Sequence, residues 1–410
     1  MKVALVHYWL VGMRGGEKVL ETFCDIFPDA DIFTLVADPD TLSPKLKKHK
    51  ITTSFLQKIG GARHYQKMLP LMPFALESFD LTAYDLVISS EAGPAKAVIT
   101  RPDAVHVCYC HSPMRYIWDL YPQYRQGAGR LARWMLALTA PALRQWDVTT
   151  AHRVDHFIAN SGYVAKRVMK FYRRSSTVIH PPVNVDRFKP VEGPKDFYLC
   201  AGQITPYKKI ELAVEACTRL NLPLVVLGDG ASAKLKRMAG PTVRFLNGVS
   251  DAEMERYLAG CRALLYPGVE DFGIVPLEAM ASGRPVIAFA RGGALETVVD
   301  GVTGLFFHEQ TTEALMESLK AFEAGQVAFD SKAIQAHAHS FHVKRFELEL
   351  RQFLGQIPEL RDMAGRLRLA PDDMHAVRLD GAQAPSPVSG PVSGPASGSQ
   401  FGSQPGRTLR

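Results

Sequence analysis

At 410 residues the chain exceeds one ordinary core, so two domains are expected. Its 47% hydrophobic and 22% charged residues exclude a fibrous or wholly disordered protein, and no uninterrupted apolar run reaches the roughly 18–20 residues of a membrane-spanning helix. Six scattered cysteines without a C-x-x-C pair argue against zinc or thioredoxin-like chemistry and fit a reducing, cytoplasmic setting, while the formal charge of +7 comes with no recognised nucleic-acid motif, so nucleic acid is not an expected partner.

The chain opens with "MKVALVHYWLVGMRGG", which reads as a buried strand feeding a glycine turn in preference to a leader peptide, because His7 interrupts the apolar run. Gly15 and Gly16 open a helix there, and its first backbone N–H groups could face an anion or a sugar oxygen; an ordinary strand-to-helix turn has the same pattern. Thr41 to Leu76 contains no acid, and its lysines are interleaved with Phe55, Leu56, Tyr65, Met68 and Phe74. "RLARWMLALTAPALRQW", Arg130 to Trp146, is a second basic and aromatic stretch. Both are readable as solvated helix faces over ordinary core, or as a surface resting on anionic lipid.

"DLVISS", "AVHVCYCH" and "VDHFIANS" continue the strands of the first half. His111 stands at one strand end before Pro113, and Asn160 and Ser161 at another, positions equally suited to caps. Prolines in "IHPPVNVDRFKP", Ile179 to Pro190, mark the joint. Beyond it "DFYLCAGQ", "PLVVLGDG", "VRFLNG", "RALLYPG" and "RPVIAFA" alternate with helical patterns such as "KKIELAVEACTRL". Continuous β-branched and aliphatic runs belong to strands buried on both faces, so the expectation is an α/β protein of two doubly wound parallel-sheet domains. The expected spans are 1–180, 181–340, a terminal helix over 341–360 returning toward the first domain, and a disordered Pro/Ser/Gly tail over 370–410.

Lys208 and Lys209 begin a helix after a strand, where ammonium groups suit a diphosphate. Gly228, Gly230 and Ala233 match the dinucleotide fingerprint, but Asn247 stands where that reading requires an acid, and NAD is set aside. "GVEDFGIVPLEAMASGRPVIAF", Gly268 to Phe289, places Glu270 in a loop and Glu278 in the first turns of a helix. Phe272, Gly273 and Ile274 offer backbone donors between them. Acceptors for hydroxyls beside donors for an anion match a nucleotide sugar.

This segment, with "ARGGALETV" after it, resembles family 4 of the retaining glycosyltransferases, which have the GT-B fold of two Rossmann-like domains facing across a cleft. "RGGEKVLE", "CHSPMRYIWD" and "HPPVNVDRF" look most like the branch of bacterial O-antigen and exopolysaccharide mannosyltransferases, which implies GDP-mannose as donor. By that resemblance Glu270 and the Phe272–Ile274 backbone hold the donor sugar, Glu278 the ribose and Lys208 the diphosphate. His111 lies at the sugar end, Gly16 near diphosphate and acceptor, and Ser161 along the cleft. The family's G-R-L is here Gly202-Gln203-Ile204, and Lys209 is the candidate replacement for the missing arginine. The resemblance implies no metal or cofactor, a polyprenyl-diphosphate-linked saccharide acceptor, and peripheral contact with the anionic inner leaflet. A UDP- or dTDP-sugar donor, a GT-B epimerase and a non-catalytic binder remain alternatives.

Overall fold

In the computed structural model, residues 1–191 and 195–364 are described; the tail expected over 370–410 lies outside them. The first lobe holds strands β1 (Val3–His7), β2 (Asp31–Thr34), β3 (Ile51–Thr53), β4 (Leu86–Glu91), β5 (Val105–Cys110), β6 (His156–Ala159) and β7 (Thr177–Val178). The second holds β8 (Tyr198–Ala201), β9 (Leu224–Leu227), β10 (Val243–Leu246), β11 (Leu264–Tyr266), β12 (Val286–Phe289) and β13 (Gly304–Phe307). Their orders are β3-β2-β1-β4-β5-β6-β7 and β10-β9-β8-β11-β12-β13. Paired strands run parallel, as in β1–β4 (Leu5 opposite Ile88) and β11–β12 (Leu265 opposite Ile287).

Every residue of β1 is buried, so "VALVH" is the interior strand, flanked by β2 and β4, that its apolar run requires. β2, β3, β7 and β13 are additional to the strands read from sequence. β3 and β7 are three- and two-residue edge strands whose residues are not buried, so they carry no apolar run to recognise.

Order reverses beside β1 in the first sheet and beside β8 in the second. Such switch points leave a crevice at the carboxyl ends of neighbouring strands, where loops diverge to opposite faces. The loops after β1 and β5 therefore face those after β8 and β11. The Val343–Gln356 helix returns to the first lobe: Phe346, Leu350 and Leu354 join the core of Leu5, Phe23 and Tyr109. Val183 N–H donates to Phe341 O at 3.0 Å, so the outward and return crossings of the chain run side by side.

Candidate functional site

A cleft of about 910 Å³ opens between these loops. From the first lobe it is walled by Gly15, Gly16 and His111; from the second, by Lys208, Glu270 and Phe272–Ile274.

Lys208 follows β8 through a short 3-10 turn, Pro206–Lys208. Its Nζ lies 3.2 Å from Glu270 Oε1, so the cation and the carboxylate expected to serve diphosphate and sugar are already neighbours. Gly202 is what makes room: its φ is +104°, and a Cβ there would sit 2.9 Å from Lys208 Nζ. The glycines of the apparent dinucleotide fingerprint have a packing role. A Cβ at Gly228 would fall 2.1 Å from Gly202 O, so that loop braces the lysine loop.

The Ile274–Ala281 helix begins at Gly273, and its first residues line the cleft. The first N–H groups of a helix lack intrahelical acceptors and carry the positive end of its dipole, which makes this wall receptive to an anion. Glu278 lies further along the helix, outside the cleft lining. Its carboxylate is 3.9 Å from Lys18 Nζ of the first lobe, and burial raises its pKa.

His111 follows β5, with Nε2 2.9 Å from Ser90 Oγ. Burial, with His7 nearby, pushes its pKa down to about 3, so the ring is neutral at ordinary pH and can position a hydroxyl but not supply charge. Gly16 belongs to the same corner: a Cβ on it would lie 3.4 Å from His7 Cε1 and 3.9 Å from His111 Nε2. Behind them the fully buried His7 has its Nε2 3.7 Å from Glu17 Oε1. Burial pushes Glu17 up, but His7 and backbone N–H groups outweigh it and hold the carboxyl below its usual range.

Like Glu278, two other expected site residues lie outside the cleft lining. Lys209 adopts a left-handed backbone (φ +52°), its side chain is exposed by 40% and pairs with Glu211 at 3.6 Å, and it does not line the cleft. Ser161 is fully buried and caps the Gly162–Tyr172 helix: its Oγ accepts from Val164 N–H at 3.0 Å and donates to Asp271 O at 2.6 Å. It joins the lobes and does not face the cleft. Its neighbour Asn160 does line the cleft.

Sequence reasoning missed the charges that bridge the lobes. Asp271, next to Glu270, pairs with Arg115 and, at 2.9 Å, with Arg167, which also binds Asp119 at 2.6 Å. Glu296 accepts from Gly162 N–H at 2.7 Å and Tyr163 N–H at 2.9 Å, and lies 3.0 Å from His180 Nε2. Arg115 and Asp271 lie inside stretches already quoted for the resemblance, but nothing local marks them as partners.

Residues 13–187 match the family model described as Glycosyltransferase Family 4, and residues 183–338 the model Glycosyl transferases group 1. A D-inositol 3-phosphate glycosyltransferase of Streptomyces avermitilis is 29% identical over 225 residues, 46% of this chain and 48% of that protein. An alpha-1,3/1,6-mannosyltransferase ALG2 of Candida glabrata is 25% identical over 283 residues, 55% of this chain and 59% of that protein. The chain thus spans about half the length of the curated relatives it matches. Among solved structures, Anabaena HepE in complex with UDP-glucose superposes with a TM-score of 0.65 at 17% identity, covering 87% of this chain and 100% of that one. A sucrose-phosphate synthase from Thermosynechococcus elongatus gives 0.65 at 18% identity, covering 87% and 99%. The fold is the GT-B arrangement of two Rossmann-like domains.

Proposed function

We propose that this chain, which belongs to the glycosyltransferases whose family 4 and group 1 models its two halves match, transfers a hexose from a nucleotide sugar to a hydroxyl with retention of anomeric configuration. The observation that carries the reading is the Lys208–Glu270 pair, set beside a helix N-terminus at the point where the second sheet reverses order. GDP-mannose is the proposed donor, supported by the mannosyltransferase relatives and by the stretches "CHSPMRYIWD" and "HPPVNVDRF".

In this reading Glu270 holds sugar hydroxyls, Glu278 the ribose, and Lys208 with the helix N-terminus the diphosphate. These groups meet the charge that develops on the leaving phosphate, and the reading needs no metal. The acceptor oxygen bonds to the anomeric carbon as the carbon–phosphate oxygen bond breaks, and its proton passes to the leaving phosphate on the same face. Neutral His111 positions the sugar. The lobe contacts around Asp271 and Glu296 keep water away from the donor.

The proposed acceptor is a saccharide on a polyprenyl diphosphate, met at the anionic cytoplasmic face of a membrane. No helix among the described residues is long and apolar enough to cross one. Leu131, Trp134, Met135 and Leu138 share a face of the Arg130–Ala151 helix; Leu131 is 76% and Trp134 69% exposed, with Arg130 and Arg133 beside them. That helix is anchored through buried Asp147, which accepts from Trp118 Nε1 at 2.7 Å and pairs with Lys96. Leu69, Met72 and Leu136 carry apolar surface into the cleft from the same side.

The test is a panel of radiolabelled nucleotide sugars incubated with the protein and a membrane lipid extract from its source. Label moving from GDP-mannose into lipid supports the reading. Label from a UDP-sugar alone replaces the donor, and donor consumption without lipid labelling rejects the transferase.

A further inference from the structure

The diphosphate site described so far is short of positive charge. Among the described residues that line the cleft, Lys208 is the one cation from the second lobe, and the 3.2 Å pair with Glu270 already neutralises it. Gln203, on the same wall, carries no charge. A nucleoside diphosphate brings at least two negative charges, and the helix dipole offsets only a fraction of one.

We infer that Arg115 of the first lobe is the second cation of the diphosphate site, and that an arriving nucleoside diphosphate draws its guanidinium away from Asp271. This rests on the nucleotide-sugar reading of the cleft. Arg115 lines the same cleft as Gln203 and Lys208. Its Cζ lies 5.1 Å from the centre of the Tyr207 ring, so the guanidinium is stacked on the residue that precedes Lys208. A planar fork in that position can give a phosphate two parallel N–H donors, which an ammonium cannot. Arg14, the other guanidinium of the wall, is exposed beside the Gly15 turn, whereas the Arg115 side chain is only 21% exposed.

The surrounding charges permit the exchange. Asp271 is held from two sides, by Arg115 on Oδ2 and by Arg167 on Oδ1 at 2.9 Å. When Arg115 turns to phosphate, Asp271 keeps Arg167 and is not left as a lone buried charge. A direct ion pair between the lobes becomes a bridge through the donor, and Arg115 thereby ties donor binding to lobe contact.

Calorimetric titration of the full chain with GDP and with guanosine tests this, using Arg115→Gln, Arg115→Lys, Asp271→Asn and the double variant Arg115→Gln/Gln203→Arg. Arg115→Gln should weaken GDP by about 10- to 100-fold, the worth of a charged hydrogen bond, and leave guanosine unchanged. Arg115→Lys should fall between, and the arginine at 203 should restore most of the loss. Asp271→Asn frees Arg115 and should tighten GDP. If Arg115 only latched the lobes, Asp271→Asn and Arg115→Gln would act in the same direction and weaken GDP and guanosine alike; that result overturns the assignment even where Arg115→Gln folds poorly. Unchanged GDP affinity in Arg115→Gln overturns it too, with the transferase reading intact. A wild-type chain that binds neither GDP, UDP nor ADP removes that reading and this one together.

Discussion

Replacing Glu296 by alanine removes a carboxylate of the second lobe from the N-terminus of a helix in the first. Gly162 and Tyr163 lose acceptors at 2.7 and 2.9 Å, and His180 loses one at 3.0 Å. Hydrogen bonds to a charged group are worth about 1.5–3 kcal/mol each, and an anion at a helix N-terminus adds about 0.3–1 kcal/mol. The Glu296 side chain is 24% exposed, so water can replace part of what is lost. The net cost should be about 2–4 kcal/mol for Glu296→Ala and roughly half for Glu296→Gln, which keeps one acceptor oxygen. Denaturant titration of the full chain measures the cost, and small-angle scattering reads any opening of the lobes. The pH dependence has a definite sign. Burial raises the Glu296 pKa, but His180 and the two N–H groups outweigh it and the net shift is downward. The contact therefore stabilises above the ordinary carboxylate range and is lost as pH falls through the lowered pKa. The gap between wild type and Glu296→Ala should close on acidification below about pH 4.5. A variant within 0.5 kcal/mol of wild type at neutral pH, with unchanged scattering, would refute the argument.

Other consequences are open to the same treatment. Burial pushes the His106 pKa down to about 4, below its unfolded value near 6.5. Between those values the unfolded chain binds the extra proton, so stability should fall by about 1.4 kcal/mol per pH unit as pH drops, and His106→Gln should flatten a pH series of unfolding free energies by that slope. Gly202→Ala combines a φ of +104° with a Cβ 2.9 Å from Lys208 Nζ, so GDP binding should fall about 10-fold or more while circular dichroism stays that of wild type. The double variant Leu131→Glu/Trp134→Glu should abolish co-sedimentation with anionic phospholipid vesicles without altering GDP affinity, since both side chains are exposed. His111→Ala should reduce the turnover number with little change in GDP affinity, and the wild-type pH–rate profile should carry no limb from His111 above about pH 4.

Several parts of this structure were legible in sequence because they are local. The strands at and beside the switch points are continuous apolar runs, and Glu270, Phe272–Ile274 and Lys208 sit where such runs end. The terminal helix was legible from its spacing, since Phe346, Leu350 and Leu354 recur at helical intervals. Edge strands β3 and β7 were not, because exposed backbone pairing leaves no hydrophobic signature. Lys208 and Lys209 part company because a left-handed backbone at Lys209 sends their ammonium groups to different carboxylates, Glu270 and Glu211, which adjacency in the sequence does not reveal. Ser161 has the sequence look of either a cap or a cleft residue, and only the position of Asp271 O decides between them. The Arg115–Asp271 pair joins residues 156 apart in the chain, a separation at which no spacing rule operates.

Acceptor-dependent release of GDP from GDP-mannose measures donor transfer in this cleft most directly. GDP should be released by the wild-type chain only when the polyprenyl-linked saccharide is present, and Glu270→Ala should lower that rate at least about 100-fold, as loss of a charged contact to the reacting sugar would. Release that ignores the acceptor, or that survives unchanged in Glu270→Ala, would contradict it.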